Sequence, residues 1–229
     1  MLILNIESST EICSVALARN GELLALAENE ERNSHSRVLT QLIERVMNEG
    51  ESQLEALDAV AVSTGPGSYT SLRVGTSVAK GICFALDKPL VPVDTLRSLA
   101  MAARAVHPVA AGYYIPMIDA RRMEVYCAVY DATGGEIEEK HAKIIETGSF
   151  GTFFESNLPL ILTGNGAEKT RSVLNHPQAH FLPQRCSARY LVPLSHTDFQ
   201  QGRTEDPAYF VPAYVKQPFI TTPKKRSLR

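Results

Sequence analysis

The chain has 229 residues, of which 44% are apolar and 21% charged, and its formal net charge is −2. That length allows one large domain or two smaller lobes with a buried core, and the composition is that of an ordinary folded protein. No run approaches the ~20 apolar residues of a membrane span, and residues 1–30 lack a signal-peptide pattern, so we expect a cytoplasmic protein without membrane contact. The four cysteines are far apart and form no CxxC pair, which favours buried free thiols.

Charge is distributed unevenly along the chain. Residues 216–229 contain five basic side chains and no acid, which leaves 18 basic against 25 acidic residues, or −7, for the body. An acidic body argues against a broad nucleic-acid-binding face. The basic tail could contact RNA phosphates or an acidic partner, or it could simply be a solvated terminus.

The first half begins with strands. LILNI (2–6) predicts a buried strand, and SVALARNGELLALAE predicts a hairpin that turns at Asn20-Gly21. Apolar residues at helical spacing then predict a helix over 36–48, capped by Ser34 or Ser36. The later elements alternate: strand 57–63, helix 70–86, strand 88–93 and helix 95–106.

The second half repeats this order: strand 113–119, a hairpin over 123–146, a short helix at 149–156, strand 159–163 and a helix at 167–174. Ile6-Glu7 and Ile118-Asp119 end the first strands of the two halves, and TGPG in the first half corresponds to TGNG in the second. These echoes predict an α/β fold of two duplicated β-β-β-α-β-α lobes, 1–107 and 108–204. Residues 205–229 form a tail that either packs back or stays mobile.

The stretch STGPGSYTSLRVG (63–75) resembles a phosphate-binding loop, since it joins a strand to a helix through glycines. It lacks the lysine of a P-loop, has Thr70 where a dinucleotide fingerprint has its third glycine, and loses one N–H donor at Pro66. The pattern therefore favours a structural turn that caps the helix through Ser68 or Thr70 over direct phosphate binding.

Acidic strand ends are weak candidates for holding a metal–nucleotide complex. Across an interlobe cleft, Glu7 and the adjacent Ser8 could face Asp119. Structural hydrogen bonding is the simpler interpretation of these acids. Arg121 could also neutralise Asp119. An HxxxH at 176–180 contains a proline, so it does not predict a helical metal site, and no GxSxG or cysteine signature predicts a hydrolase.

The helix after the loop has a stripe of small and apolar residues. Gly75 and Ala79 lie four residues apart and would let another helix approach closely. Packing within the lobe is the alternative.

Six segments together resemble the bacterial TsaB family, also called YeaZ: ILNIESSTEICSVAL, NSHSRVLTQLI, STGPGSYTSLRVGTSVAKG, PMIDARRMEVYCAVY, ILTGNG and PAYVK…TTPKK. The resemblance implies two RNase H-like lobes of the actin/sugar kinase/Hsp70 (ASKHA) superfamily. It also implies a scaffold without catalytic activity or a cofactor of its own, which supports transfer of the threonylcarbamoyl group to tRNAs reading ANN codons. The alternative function is a weak ATP-binding protein or ATPase of the same superfamily.

The resemblance also implies partners. These are the transferase TsaD as a heterodimer, the ATPase TsaE, tRNA indirectly through the complex, and a second copy when the chain is alone. ATP and metal are then expected in the partner subunits. The implied interface lies on two helices: Ser36, Leu39, Leu42, Ile43 and Val46 on one, and Thr70, Leu72, Arg73, Thr76 and Lys80 on the other. We therefore expect Leu39→Arg to break the complex and leave the lobe folded. Ser71 replaces the family's glycine in this segment.

Overall fold

The computed structural model describes residues 1–32 and 34–216. The first half contains three strands followed by alternating helices and strands: β1 Leu2–Glu7, β2 Cys13–Arg19, β3 Glu22–Asn29, α1 His35–Glu49, β4 Ala59–Ser63, α2 Tyr69–Leu86, β5 Leu90–Val93 and α3 Thr95–Val106. The second half is built likewise: β6 Tyr113–Asp119, β7 Glu124–Asp131, β8 Glu136–Ile144, α4 Gly151–Phe154, β9 Leu160–Thr163, β10 Ala179–Leu182 and α5 Val192–Gln200.

The two halves form two five-stranded sheets with the same topology. The strand orders are β3-β2-β1-β4-β5 and β8-β7-β6-β9-β10. In each sheet the first three strands pair antiparallel. The fourth strand pairs parallel with the first, and the fifth pairs parallel with the fourth. The predicted duplicated α/β fold is therefore confirmed.

Helices α1 and α2 cover one face of the first sheet. The apolar stripe of α1 packs onto β2 and β3, and the six apolar residues of this helix are all buried. Each sheet also has one face that is covered by a helix from the other half of the chain. Helix α3 packs mainly against β6 and β9, whereas α5 packs against β1 and β5.

Two predicted helices differ in the structure, and two observed elements are absent from the prediction. The helix expected at 167–174 is only a short 3-10 turn at Glu168–Thr170, and the helix expected at 149–156 is a single turn. Strand β10 and helix α5 are absent from the sequence prediction; α5 has a weak apolar pattern and carries Pro193 in its first turn. The four cysteines are free and buried, as predicted.

The described part of the tail packs back onto the first lobe. The Glu205 N–H donates to the Leu90 carbonyl at 2.8 Å, and Phe210 is buried in the core under α1 and α2. The predicted basic tail lies outside the described residues from 217 onward, so only Lys216 is seen. Within the residues that the structure describes, no helix is both long enough and apolar enough to cross a bilayer.

Candidate functional site: the interlobe cleft and the helix groove

The backbone N–H groups of the loop between β4 and α2 are hydrogen-bonded within the protein. Four of them donate to protein acceptors: Thr64 to Val93 O at 2.8 Å, Gly65 to Thr95 Oγ1 at 3.2 Å, Ser68 to Ser9 O at 2.7 Å and Ser71 to Ser68 Oγ at 3.4 Å. The last of these confirms a cap on α2 by Ser68, whereas Thr70 is not the cap. An anion would have to displace these protein acceptors before it could bind the same donors.

Two glycines, Gly67 in this loop and Gly75 in α2, lie in close contact with the segment after β1. A Cβ at Gly67 would lie 2.8 Å from the Ser9 carbonyl carbon and closer still to its oxygen. A Cβ at Gly75 would lie 3.0 Å from Ser8 Cβ and closer still to its hydroxyl. The absence of a Cβ at these two glycines therefore permits the close contact with the segment after β1.

Glu7 ends β1 and is fully buried. Its Oε1 accepts the Ser9 N–H at 2.7 Å, and its Oε2 has no partner among the described residues. Burial, which outweighs the hydrogen bonds from Ser9, Ser63 and Ser8, raises the pKa of this carboxyl. In the part of the chain that is described, no three His, Cys, Asp or Glu side chains converge as metal ligands.

We expect Glu7→Gln to stabilise the protein increasingly as pH rises. Because the pKa of Glu7 is raised in the folded state, its contribution to stability is fully present below the unfolded pKa and is lost as pH rises through the folded pKa. A neutral amide avoids that loss, so the difference in free energy of unfolding between the variant and the natural chain should be larger at pH 8 than at pH 4. Urea unfolding at several pH values measures it, and a difference that does not vary with pH would contradict the assignment.

Asp119 is half exposed and already paired with a cation. Its carboxylate forms a salt bridge with Lys169 and accepts the Arg121 backbone N–H at 2.8 Å. The neutralising cation is thus Lys169, so the suggestion that Arg121 performs this role is wrong. Next to it, Asn165 links the lobes, because its Oδ1 accepts the Asp119 N–H at 3.0 Å and its Nδ2 donates to Glu11 at 2.8 Å.

The predicted interface residues divide into a buried set and an exposed set. Six are buried within the first lobe: Leu39, Leu42, Ile43, Val46, Leu72 and Thr76. Ser36, Thr70 and Arg73 are exposed, and the half-buried Lys80 donates to the carbonyls of Ala208 and Phe210 at 3.2 and 3.1 Å. Leu39, Leu42 and Val46 belong to the core beneath α1, which corrects the expectation that Leu39 lies on an open surface.

A cavity of about 420 Å³ opens between α1 and α2. We call it the helix groove, and its apolar lining consists of Ile43, Met47, Leu54, Val78 and Ile82. Its polar lining consists of Thr40, Glu44, Asn48, Ser52 and Gln53. An apolar groove beside two exposed helix faces is the kind of surface that binds a partner helix.

The exposed small residues of α2 differ from the pair that the sequence suggested for contact with another helix. Ala79 is fully buried and Gly75 packs on the segment after β1, so both face inward. Ser77, Gly81 and Ala85 recur at four-residue spacing on the exposed side of α2, and no atom lies within 4 Å of a Cβ built at Gly81. The Ser71 hydroxyl bonds Ser68 Oγ at 3.0 Å, within the helix cap.

Comparison with known proteins gives the family. The family model described as "TsaD: tRNA N6-adenosine threonylcarbamoyltransferase" matches residues 27–153, more than half of the chain. The tRNA threonylcarbamoyladenosine biosynthesis protein TsaB of Haemophilus influenzae is 39% identical over 55% of this chain and 52% of that protein. The TsaB of Escherichia coli is 35% identical over 57% of this chain and 55% of that protein. The chain thus spans about half the length of the curated relatives it matches.

Solved structures agree with the fold. A Pseudomonas aeruginosa protein described as similar to peptidase YEAZ superposes with a TM-score of 0.81 and 26% identity, over 94% of this chain and 99% of that one. The activator of 2-hydroxyisocaproyl-CoA dehydratase from Clostridium difficile, solved with ADPNP, reaches a TM-score of 0.51 at 8% identity, over 89% of this chain and 96% of that one. These likenesses and the duplicated sheets identify the ASKHA fold. The chain belongs to the tRNA N6-adenosine threonylcarbamoyltransferase family and, within it, to the TsaB (YeaZ) proteins.

Proposed function

We propose that the chain is a non-catalytic scaffold subunit that pairs with a TsaD-type transferase. In that pairing it supports transfer of the threonylcarbamoyl group to the adenosine next to the anticodon in tRNAs that read ANN codons. The observation that carries the proposal is the contrast between a β4–α2 loop whose N–H groups are already bonded to the protein and a helix groove that is open. The names of the relatives support the pathway.

This occupied loop favours the scaffold over the alternative of a weak ATPase. The acids that would hold a metal–nucleotide complex are a buried Glu7 and an Asp119 paired with Lys169. The N–H groups that would bind phosphate include those of Gly65 and Ser68, which already have protein acceptors. We therefore expect ATP and metal to be held by the partner subunits, including a TsaE-type ATPase.

The helix groove supports a specific occupant, the equivalent helix pair of the transferase. The transferase family model matches residues 27–153, a range that includes both α1 and α2, so the larger relative has a corresponding pair. Two such pairs can pack face to face in a pseudo-symmetric dimer. A second copy of this chain offers the same face, so we expect a homodimer when the transferase is absent. Through this complex the chain would reach tRNA.

Replacing Gly81 with arginine should abolish the complex with the transferase and leave the fold intact. The position is exposed with open space around it, and arginine in a helix interior is favoured over glycine by about 0.5–1 kcal/mol. At a closed interface the guanidinium would be buried without a partner, which costs about 3–5 kcal/mol and weakens binding at least ~100-fold. Co-purification and titration calorimetry with the transferase measure the effect.

The matched control is Ala105→Arg, which adds the same charge at an exposed position of α3 far along the chain. It should leave complex formation unchanged. Retention of the complex by Gly81→Arg would show that the groove is not the pairing surface. Tight binding of magnesium–ATP by the isolated chain, abolished by Glu7→Gln, would overturn the scaffold assignment and favour the ATPase.

A further inference from the structure

The turn between β6 and β7 carries two adjacent arginines in an unusual conformation. Arg121 and Arg122 have φ angles of 70° and 49°, both in the left-handed region. Adjacent non-glycine residues rarely adopt it, and they persist where the surroundings hold them. Here Asp119 accepts the Arg121 N–H at 2.8 Å, and the Arg121 carbonyl accepts the Glu124 N–H at 3.2 Å. The turn is therefore held in place by its own hydrogen bonds.

Both guanidinium groups are exposed and have no ion pair among the described residues. The acids on either side of the turn do not neutralise them. Asp119 pairs with Lys169, and Glu124 pairs with Lys216. Residues 217–229 contain no acidic side chain, so that part of the sequence supplies no carboxylate side chain either. The turn keeps two uncompensated positive charges on a chain whose formal net charge is −2.

The position of the turn also points toward a ligand. By the duplication, this turn corresponds to residues 8–12 of the first lobe, at the carboxyl end of the first strand of its sheet. That edge is where α/β proteins bind ligands. In the first lobe the equivalent segment is buried against Gly67, whereas in the second lobe the two arginines are exposed. Solvent-exposed guanidinium groups in this place suit an extended polyanion rather than an enclosed small molecule.

We propose that Arg121 and Arg122 bind phosphates of an RNA backbone, so that this subunit contacts the tRNA substrate directly. The inference rests on the proposed function, which brings tRNA to the complex, but it adds a contact made by this chain itself. A footprint of two arginines is small, which is compatible with an acidic body that otherwise repels nucleic acid. Phosphate contacts of this kind orient an RNA without reading its sequence.

Fluorescence anisotropy of a labelled tRNA transcript, titrated with the full chain between 50 and 200 mM salt, tests the proposal. R121A/R122A should weaken binding by about tenfold or more at 0.1 M salt and reduce the slope of log K against log salt by about 1.5–2. R121K/R122K should stay within about threefold of the natural chain, since lysine keeps the charge.

The matched control is R171A/R185A, which removes two exposed arginines that are already paired with Glu168 and Glu30. Its loss should stay below about twofold, because its net charge equals that of R121A/R122A but the turn is intact. Equal losses for the two double variants, no measurable RNA binding by the natural chain, or full displacement of RNA by stoichiometric ATP would each overturn the inference. Gly81→Arg should retain RNA binding, so failure of the pairing proposal can be distinguished from failure of this one.

Discussion

Leu39→Arg is expected to prevent the first lobe from folding. Leu39 is only 1% exposed and packs in the core between α1 and the first sheet. A guanidinium there would be buried without a counter-charge, and the leucine contacts would be lost as well. Together these should cost more than about 5 kcal/mol, which is comparable to the whole stability of a typical domain. Circular dichroism, thermal unfolding and the soluble yield measure the result.

Thr40→Arg is the control for this variant, because it adds the same charge at the next residue, which is exposed. It should fold with an unfolding temperature within a few degrees of the natural chain. If Leu39→Arg folds normally and loses only the transferase, then α1 opens away from its sheet in solution, and the original expectation for this residue would stand.

Gly67→Ala should destabilise the protein by about 3 kcal/mol, or lower its unfolding temperature by about 6–12 °C. The added Cβ would lie 2.8 Å from the Ser9 carbonyl carbon, and this neighbour is backbone, so it cannot rotate away. Moving it would also break the 2.7 Å hydrogen bond from the Ser68 N–H to the Ser9 carbonyl. Differential scanning calorimetry checks the change.

The same substitution at Gly81 provides the comparison. Gly81 lies in α2 with open space around it, so alanine there should stabilise the helix by about 0.5–1 kcal/mol. Opposite signs for the two alanines would establish that the loop glycine is required by a close contact. A neutral Gly67→Ala would mean that the segment after β1 can withdraw, which would reopen the question of a ligand in the cleft.

The sequence predicted the order of elements and the duplication because strand and helix periods are local signals. It predicted which face of α1 is apolar, but a stripe containing Leu39 and Val46 is the same whether it is buried by the lobe's own sheet or by a partner. For the same reason, the sequence leaves open whether Gly75 and Ala79 admit another helix or pack within the lobe. The structure buries both, and the exposed small residues are Ser77 and Gly81.

The candidate cleft depended on contacts between distant residues. Pro66 and the missing lysine favoured a structural turn over phosphate binding. The close contact between Gly67 and Ser9 was not predictable, since those residues are far apart in the chain. Lys169 lies 50 residues from its partner Asp119, which is why the adjacent Arg121 was suggested instead. Helix α5 was missed because its apolar periodicity is weak.

Because α3 and α5 each cover the sheet of the other half, the two halves of the chain depend on each other for their stability. Each helix covers the sheet formed by the other half of the chain. Leu99 of α3 packs on the second sheet, and Leu191 and Leu194 at α5 pack on the first. Cutting the chain at residue 107 would therefore strip both sheets of a covering helix and expose two apolar faces at once. Although the lobes are duplicated, we therefore expect them to unfold together in one transition.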